Sequence, residues 1–270
     1  MNVLVRFRLT SKLNCKKFRK GGGRQLPPQT NMTIYALMVA RNEEHRFLKP
    51  ILEKLSTQVD KIIFLDDCSS DNTPKIAEQY ATVYQTTENL FVKDEGKLRQ
   101  QSWDCLSQHA KPGDWVVAID ADEIIECVNG KSLKEELKMS PFDVVCVRRV
   151  ELWDQFNIRV DKLWGPQFTQ RIYRYALGGS FAQKALACGS EPTYVMDWVQ
   201  RRNYWLYNSI RMVHLGYLRD EDKKAKYERY MKLDAGQYHN LDHLKSIIDK
   251  DPVLLPIKSL GINMEDIKIS

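Results

Sequence analysis

The sequence predicts an α/β fold in which a mostly parallel central sheet is flanked by helices. Between residues 33 and 119, short apolar runs suited to buried strands alternate with longer segments of helical periodicity. Such an alternation forms right-handed βαβ units and therefore a parallel sheet. Three of the apolar runs also end abruptly in polar or acidic residues, as expected where parallel strands reach the ligand-binding edge of an open sheet.

The first half of the chain contains the predicted βαβ units. Strands are expected at residues 33–40, 61–65, 81–85 and 114–119, with intervening helices that end near residue 57 and span 74–80 and 94–109. Apolar residues recur at helical spacing between Phe47 and Leu55, which indicates an amphipathic helix. Pro50 within that pattern predicts a kink or a late helix start, and Pro74 suits the first position of the second helix.

The pattern changes after residue 150. A helix at 131–139 and a strand at 143–149 precede the change, and aromatic residues with paired glycines then indicate irregular strands and loops. Charged, amphipathic helices are expected at 219–234 and 239–250. The basic residues of the first of these helices are expected on a solvated face; they are Lys223, Lys224, Lys226 and Arg229.

The positive charge is concentrated at the beginning of the chain. The 270 residues include 41 Lys and Arg against 35 Asp and Glu, and eight of the basic residues but no acidic one lie at 1–31. The other 33 basic and 35 acidic residues give a net charge of about −2, which argues against a nucleic-acid-binding body.

We expect residues 1–31 to be a disordered extension, 32–150 the first half of one domain and 151–270 its second half. The extension would contact an anionic membrane surface weakly, or it precedes a natural start at Met32.

The cysteines and apolar runs indicate a cytoplasmic protein. The six cysteines are scattered without a Cys-x-x-Cys pair, which predicts reduced residues rather than a zinc site. No apolar run is long enough to span a bilayer, and residues 1–30 lack the continuous apolar segment of a signal peptide. We therefore expect a cytoplasmic location, with peripheral attachment to a membrane as the alternative.

Three polar loops follow three of the predicted parallel strands. They are Arg41-Asn42-Glu43-Glu44, residues 66–73, and Asp120-Ala121-Asp122-Glu123. At one edge of a sheet, their carboxylates would repel one another without a cation or hydrogen-bond donors. Asp-x-Asp at a strand end offers hard oxygen ligands that suit Mg²⁺ or Mn²⁺ with a phosphate. We expect Asp71 to cap a helix, while Asp66 and Asp67 are open between a capping and a ligand-binding role.

The order and spacing of these loops resemble glycosyltransferase family 2, whose members have the GT-A fold. The likeness covers residues 33–126 and is looser beyond residue 150. It implies a Rossmann-like sheet, an irregular acceptor-side second half, C-terminal helices and a nucleotide-sugar site at the strand ends. The residues that it implies in nucleotide-sugar binding are Val39, Ala40, Arg41, Asn42, Glu43, Asp67, Lys97, Arg99 and Asp120.

The resemblance also implies a role for each part of this site. The first loop would wrap the nucleotide, Asp67 would bond the base, commonly uracil, and Lys97 or Arg99 would touch the base or the phosphates. Asp120 would face the ribose or the sugar. 

The same resemblance implies a divalent cation, Mn²⁺ or Mg²⁺, that bridges the diphosphate and acts as a Lewis acid on the leaving group. Asp122 would hold the cation, and His214, in a His-Leu-Gly-Tyr segment, would be a further ligand. Without the resemblance, a lone His in an apolar segment is more often structural.

The catalytic base is less well defined. An inverting transferase needs a base that takes the proton of the acceptor hydroxyl as its oxygen attacks the anomeric carbon. Glu191 and Asp197 are the candidates, with Asp154 and Asp161 behind them. Many relatives carry a His-Glu or Glu-Asp pair in this region, whereas this chain has Gly-Ser-Glu-Pro around Glu191.

The predicted function is a metal-dependent glycosyltransferase that moves a sugar from a nucleoside-diphosphate sugar, expected to be UDP-linked, to an acceptor hydroxyl. The acceptor would be a glycan, a lipid or a protein, and no nucleic acid partner is expected.

The alternatives are an aspartyl-phosphate phosphohydrolase, a nucleotidyltransferase and a nucleotide-binding protein without catalytic activity. The phosphohydrolase would use Asp120 as its nucleophile, but its motif normally opens the domain, whereas three βα units precede Asp120 here.

Overall fold

The structure is a computed structural model that describes residues 32–161, 164–165, 167–234 and 236–262. The basic extension predicted at residues 1–31 lies outside the described residues. Within them, no helix is both long and apolar enough to cross a membrane. The five described cysteines are free.

The described residues form ten strands and seven α-helices. The strands are β1 (Ile34–Ala40), β2 (Lys61–Asp66), β3 (Thr82–Gln85), β4 (Trp115–Ala118), β5 (Glu123–Cys127), β6 (Val144–Glu151), β7 (Asn157–Arg159), β8 (Gln167–Arg174), β9 (Tyr204–His214) and β10 (Leu254–Pro256). The helices are α1 (Leu48–Ser56), α2 (Thr73–Ala77), α3 (Glu95–Ser107), α4 (Leu133–Lys138), α5 (Thr193–Gln200), α6 (Asp220–Leu233) and α7 (Leu241–Ser246), and a 3₁₀-helix spans Ile257–Leu260.

Eight strands form one mostly parallel sheet in the order β3-β2-β1-β4-β8-β6-β9-β5. Strands β3, β2, β1 and β4 are parallel, as their helical connections predict. Strand β8 runs antiparallel between β4 and β6, β9 is parallel to β6, and β5 is antiparallel to β9. Strands β7 and β10 form a separate antiparallel pair. The predicted α/β class with a mostly parallel sheet flanked by helices is confirmed.

Strand β1 is buried on both faces of this sheet. Its residues Ile34, Ala36 and Met38 pack in one apolar cluster with α1. Its residues Tyr35 and Leu37 pack in a second cluster with α3. Because successive side chains of a strand point to opposite faces, α1 and α3 lie on opposite sides of the sheet. This arrangement explains why the strand is a continuous apolar run in the sequence.

Several element boundaries have local causes. Helix α1 begins at Leu48, so Pro50 lies in its first turn, where the missing N–H removes no intrahelical hydrogen bond; of the two expectations, the late start is observed. Helices α2 and α7 end at Ala77 and Ser246, earlier than predicted, because the chain continues there as turns.

Strands β5 and β9 are not evident from the sequence pattern. Strand β5 follows the acidic triplet directly and contains Glu123 and Glu126, which obscure the apolar pattern of a strand. Glu123 is nevertheless fully buried, because Arg171 from β8 pairs with its carboxylate. Long-range pairing therefore outweighs the local pattern here.

The carboxyl ends of β1, β2 and β4 lie side by side. Ala40 pairs with Asp66 in parallel register, and the Asp67 N–H donates to the Ala40 carbonyl oxygen at 2.9 Å. The Ile119 N–H donates to the Leu37 carbonyl oxygen at 3.1 Å. The three polar loops that follow these strands are thus brought to one edge of the sheet.

Helix α3 is anchored through its first turn, which generates a stability prediction. The N–H groups of Glu95 and Gly96 donate to the carbonyl oxygens of Ala185 and Lys184, both at 3.0 Å. A Cβ at Gly96 would lie 2.4 Å from the Ala182 carbonyl oxygen. Gly→Ala normally stabilises a helix by about 1 kcal/mol, but we expect Gly96→Ala to reduce the free energy of unfolding by about 1–3 kcal/mol through this clash.

Urea unfolding of the Gly96→Ala variant provides the measurement. Asp104→Ala at an exposed position of the same helix is the matched control, and we expect it to change stability by no more than about 0.5 kcal/mol. A Gly96→Ala variant as stable as the wild type would contradict the close packing of α3 on residues 182–185.

Candidate active site

The loops after β1 and β2 are joined by hydrogen bonds at the edge of the sheet. Asn42 has a left-handed backbone, with a φ of 54°. Its N–H donates to the Ser69 hydroxyl, and its side-chain oxygen accepts from the Ser70 N–H, both at 2.9 Å. The Arg41 guanidinium donates to the carbonyl oxygens of Asp67 and Cys68. Predicted nucleotide-binding residues Arg41 and Asn42 therefore hold the two loops together.

Asp67 organises the segment that follows β3. Its carboxylate accepts from the N–H groups of Leu90 and Phe91 at 2.8 and 2.9 Å and from the Thr86 hydroxyl at 3.0 Å. The neighbouring Asp66 accepts from the Ser69 N–H through Oδ2, while its buried Oδ1 has no hydrogen-bond partner among the described residues. Asp67 thus fixes residues 86–91 at this edge of the sheet, and its contact with a base stays a prediction.

Asp120 lies between two arginines. Arg171 donates to Asp120 Oδ2 at 2.9 Å and to Glu123 Oε1 at 3.1 Å, and Arg99 Nη1 lies 3.9 Å from Asp120 Oδ1. Burial alone would raise the pKa of Asp120, but Arg171 and Arg99 lower it to about 2. Asp120 is therefore ionised at neutral pH, and its side chain keeps an exposed fraction of 32%. Lys97, the alternative to Arg99, lies instead near exposed Glu88.

Asp122 and His214 converge on a small space. Asp122 Oδ2 lies 3.4 Å from His214 Nε2, and the Leu215 N–H donates to the Asp122 carbonyl oxygen at 2.8 Å. On the other side of the ring, His214 Nδ1 pairs with the Glu151 carboxylate. A Cβ at Gly216 would lie 2.6 Å from both Asp122 Oδ2 and His214 Nε2, so only glycine leaves this space open.

This pair fits a divalent cation. A carboxylate oxygen and an imidazole nitrogen are suitable ligands for Mn²⁺, and a carboxylate on the far nitrogen orients a ligating histidine. The described residues contain no group of three or more His, Cys, Asp or Glu side chains arranged to hold a metal. Two protein ligands leave coordination positions for substrate phosphates and water, as is usual for such cations.

Cations of the protein also surround Asp122. Arg46 Nη2 lies 3.9 Å from Asp122 Oδ2, and Arg46 is held in turn by Glu43 at 2.7 Å and Asp222 at 3.0 Å. Burial would raise the pKa of Asp122, but His214, Lys226 and Arg46 hold it well below its usual range. Burial raises the pKa of Glu43 to about 7 despite Arg46.

The candidate bases occupy different environments. Glu191 is half-buried and accepts from the Gln170 amide at 2.7 Å. Burial lowers the pKa of Arg171, but Glu123, Asp120 and Glu191 raise it above its usual value. Asp197 is exposed on α5.

Asp154 and Asp161 have structural partners. Asp154 accepts from the Phe156 N–H and the Asn157 amide, and Asp161 pairs with Arg159. Of the candidate bases, Glu191 is the one beside β8, held by Gln170 next to Arg171, and its role as the base stays a prediction.

Sequence reasoning missed the residues that compensate the acidic triplet. These cations are Arg46, Arg171 and Lys226. Like Glu151, which orients His214, they lie on other elements of the fold and carry no motif of their own. Lys226, expected on a solvated face, lies 3.5 Å from His214 Nε2. The one available signal was helical spacing, because Asp222, Lys226 and Arg229 share a face of α6.

The chain matches a known protein family over more than half of its length. The profile of the family described as Glycosyl transferase family 2 matches residues 35–195. A curated uncharacterized glycosyltransferase of Mycoplasma pneumoniae is 20% identical over 121 residues, which cover 42% of this chain and 39% of that protein. The match thus spans about two fifths of the relative's own length.

Two solved structures align with most of the chain. The structure of S. aureus TarS 1–349 aligns with a TM-score of 0.50 and 17% identity, covering 80% of this chain and 69% of that chain. The mannosyltransferase PcManGT from Pyrobaculum calidifontis, solved with GDP-Man and Mn²⁺, aligns with a TM-score of 0.45 and 16% identity over 87% of this chain and 70% of that chain. The likeness to TarS supports the predicted GT-A fold class.

The central position of Arg171 leads to a stability prediction. Arg171→Met would remove the cation that is hydrogen-bonded to both Glu123 and Asp120 and leave Arg149 at 3.4 Å from Glu123 and Arg99 at 3.9 Å from Asp120. We expect a loss of about 3–5 kcal/mol in the free energy of unfolding. Adding Glu123→Gln removes one of the two charges that lose this cation and should restore part of that loss. Urea unfolding at pH 7 measures both variants.

Exposed Arg201 provides the control for this exchange. We expect Arg201→Met to change stability by no more than about 0.5 kcal/mol. The proposed charge compensation would be wrong if Arg171→Met changed the free energy of unfolding as little as Arg201→Met does. It would also be wrong if adding Glu123→Gln to Arg171→Met lowered the free energy of unfolding further.

Glu151 is expected to make the free energy of unfolding depend on pH in the acidic range. Burial would raise its pKa, but Arg149 and His214 lower it from 4.5 to about 2. A carboxyl group whose pKa is depressed in the folded state stabilises the protein above the unfolded pKa, and this contribution is lost as pH falls from about 4.5 to about 2. Glu151→Gln should therefore lower stability at pH 7 by about 3 kcal/mol and flatten the decline below pH 4.5.

The measurement is urea unfolding at pH 7, 4.5 and 3, with Glu228→Gln at an exposed position of α6 as the control. A Glu151→Gln variant whose stability falls with acid as steeply as that of the wild type would show that Glu151 does not carry this dependence.

Proposed function

Because the chain belongs to glycosyl transferase family 2, we propose that it moves a sugar from a nucleoside-diphosphate sugar to a hydroxyl group of an acceptor. The expected nucleotide is UDP. The observation that supports this function most strongly is the convergence of Asp122 and His214, 3.4 Å apart, beside the ionised Asp120. That arrangement offers separate places for a diphosphate with its cation and for a sugar or ribose hydroxyl.

The reaction is proposed to depend on a divalent cation. Asp122 and His214 would hold Mn²⁺ or Mg²⁺, which supplies Lewis-acid neutralisation of the leaving nucleoside diphosphate. Glu151 fixes the ring of His214 so that Nε2 faces Asp122. Asp120, kept ionised by Arg171 and Arg99, accepts hydrogen bonds from hydroxyl groups of the ribose or the sugar.

The proposed stereochemical course is inverting, with Glu191 as the base. The acceptor oxygen attacks the anomeric carbon, its proton passes to the Glu191 carboxylate, and the bond from the anomeric carbon to the diphosphate oxygen breaks. Gln170 holds Glu191. Asp197 faces solvent on α5 and is the weaker candidate. The proposed acceptor is a hydroxyl of a glycan, a lipid or a protein, and weak contact of residues 1–31 with a membrane surface is part of the proposal.

The hydrolase alternative requires Asp120 to act as a nucleophile. In the structure, both of its oxygens face arginines, and charge pairing of this kind reduces the nucleophilicity of a carboxylate. The nucleotidyltransferase alternative differs from the proposed function in which nucleotides would stabilise the protein, and the thermal-shift panel measures that difference. The non-catalytic alternative differs in the absence of turnover.

A thermal-shift panel of nucleoside diphosphates and sugar nucleotides, with and without Mn²⁺, tests the proposed function. We expect UDP with Mn²⁺ to stabilise the wild type by about 2–3 kcal/mol at a concentration one hundred times Kd. Asp122→Asn should abolish the metal-dependent part and keep the fold, because the amide loses the negative charge that holds the cation.

Asp104→Asn on the exposed face of α3 is the matched control and should respond like the wild type. The absence of a shift with every diphosphate would contradict the transferase proposal. A metal-dependent shift that survives in Asp122→Asn would contradict the metal assignment alone.

A further inference from the structure

Helix α6 lies against the candidate site through polar and cation–π contacts. None of its described residues is buried. Asp222 accepts from Arg46 at 3.0 Å, and the Arg229 guanidinium lies 5.5 Å from the centre of the Phe91 ring. The helix thus bridges the loop after β1 and the segment that Asp67 anchors. Lys226 occupies the middle of this face, between Asp222 and Arg229 in helical spacing.

Lys226 reaches the corner formed by Asp122 and His214. Its Nζ lies 3.5 Å from His214 Nε2 and 4.4 Å from the centre of the Tyr217 ring. The same His214 nitrogen lies 3.4 Å from Asp122 Oδ2. An ammonium group and a divalent cation would therefore seek the same acceptors, and each disfavours the other through like-charge repulsion.

A lysine at this place has a second partner when a nucleotide is bound. Its ammonium is a compact charge with three donors on a flexible stem, which suits phosphate oxygens. The flexible stem lets the ammonium reorient while the helix stays in place, held by Tyr227, Tyr230 and Met231, which pack against the apolar cluster of Trp153, Trp164 and Tyr217. The chain thus offers a cation that can turn from the Asp122–His214 corner to an adjacent diphosphate.

We propose that Lys226 is a protein-borne cation of the diphosphate site, which shares the Asp122–His214 corner with the metal and binds the phosphates of a nucleoside diphosphate. This inference rests on the proposed function and adds a residue that acts without the metal. It has two consequences of opposite sign. Removing the ammonium weakens diphosphate binding in the absence of metal, and it strengthens metal binding in the absence of nucleotide.

The experiment uses the full chain and the variants Lys226→Met, Lys226→Gln and Lys226→Arg. Calorimetry measures the binding of UDP and of inorganic pyrophosphate in EDTA, so that the result does not depend on the base. Electron paramagnetic resonance measures Mn²⁺ binding without nucleotide. The exposed Lys224 on the same helix provides the control, Lys224→Met.

We expect Lys226→Met and Lys226→Gln to bind UDP and pyrophosphate about tenfold to one hundredfold more weakly in EDTA, as for the loss of one charge-assisted hydrogen bond. The same two variants should bind Mn²⁺ severalfold more tightly than the wild type. Lys226→Arg keeps the charge and should retain most of the UDP affinity. Lys224→Met should match the wild type in both measurements.

Three results would overturn the role of Lys226. They are unchanged UDP affinity in both neutral variants, Mn²⁺ affinity that stays the same or falls in them, and wild-type binding of UDP only when metal is present. A general structural defect would weaken both ligands, so the opposite signs separate it from the proposal. Failure of the wild type to bind any nucleotide, with or without Mn²⁺, would instead refute the proposed function.

Discussion

Charge compensation at the end of β4 is the constraint on which the rest of the structure depends. Asp120, Asp122 and Glu123 follow this buried strand almost in succession, and buried like charges are costly unless cations or hydrogen-bond donors reach them. The donors come from distant parts of the chain. Arg171 reaches Asp120 and Glu123 from β8, and His214 reaches Asp122 from the end of β9. The acidic edge therefore forms only when the second half of the chain folds against the first.

The order of the sheet follows from this requirement. Strand β8 lies between β4 and β6, which places Arg171 within hydrogen-bond distance of the acidic triplet. Strand β9 pairs with β5 and β6 at once, so that His214 is opposite Glu123 in one register and opposite Glu151 in the other. The residues that stabilise the sheet edge are thus the residues that shape the candidate site, and substitutions there are expected to change stability and ligand binding together.

The sequence was sufficient to predict the features that depend on local pattern. The parallel strands, the start of α1 at Leu48 with Pro50 in its first turn, and the position of Asp120 and Asp122 at a strand end all follow from residues close in the chain. Contacts set by sheet register were not predictable, because Arg171 is 51 residues from Asp120. Helical periodicity likewise places Lys226 on a face of α6 but does not say what that face meets. The roles of Asp67 and Glu191 concern ligands, so they stay predictions.

The central claim is that Asp122 and His214 are the protein ligands of a divalent cation at the diphosphate site. The most direct measurement is anomalous diffraction at the manganese absorption edge from crystals soaked with UDP and Mn²⁺. We predict one strong peak within about 2.5 Å of both Asp122 Oδ2 and His214 Nε2, with the diphosphate completing the coordination. A crystal with well-ordered UDP and no manganese at that position, or with manganese bound elsewhere, would contradict the claim.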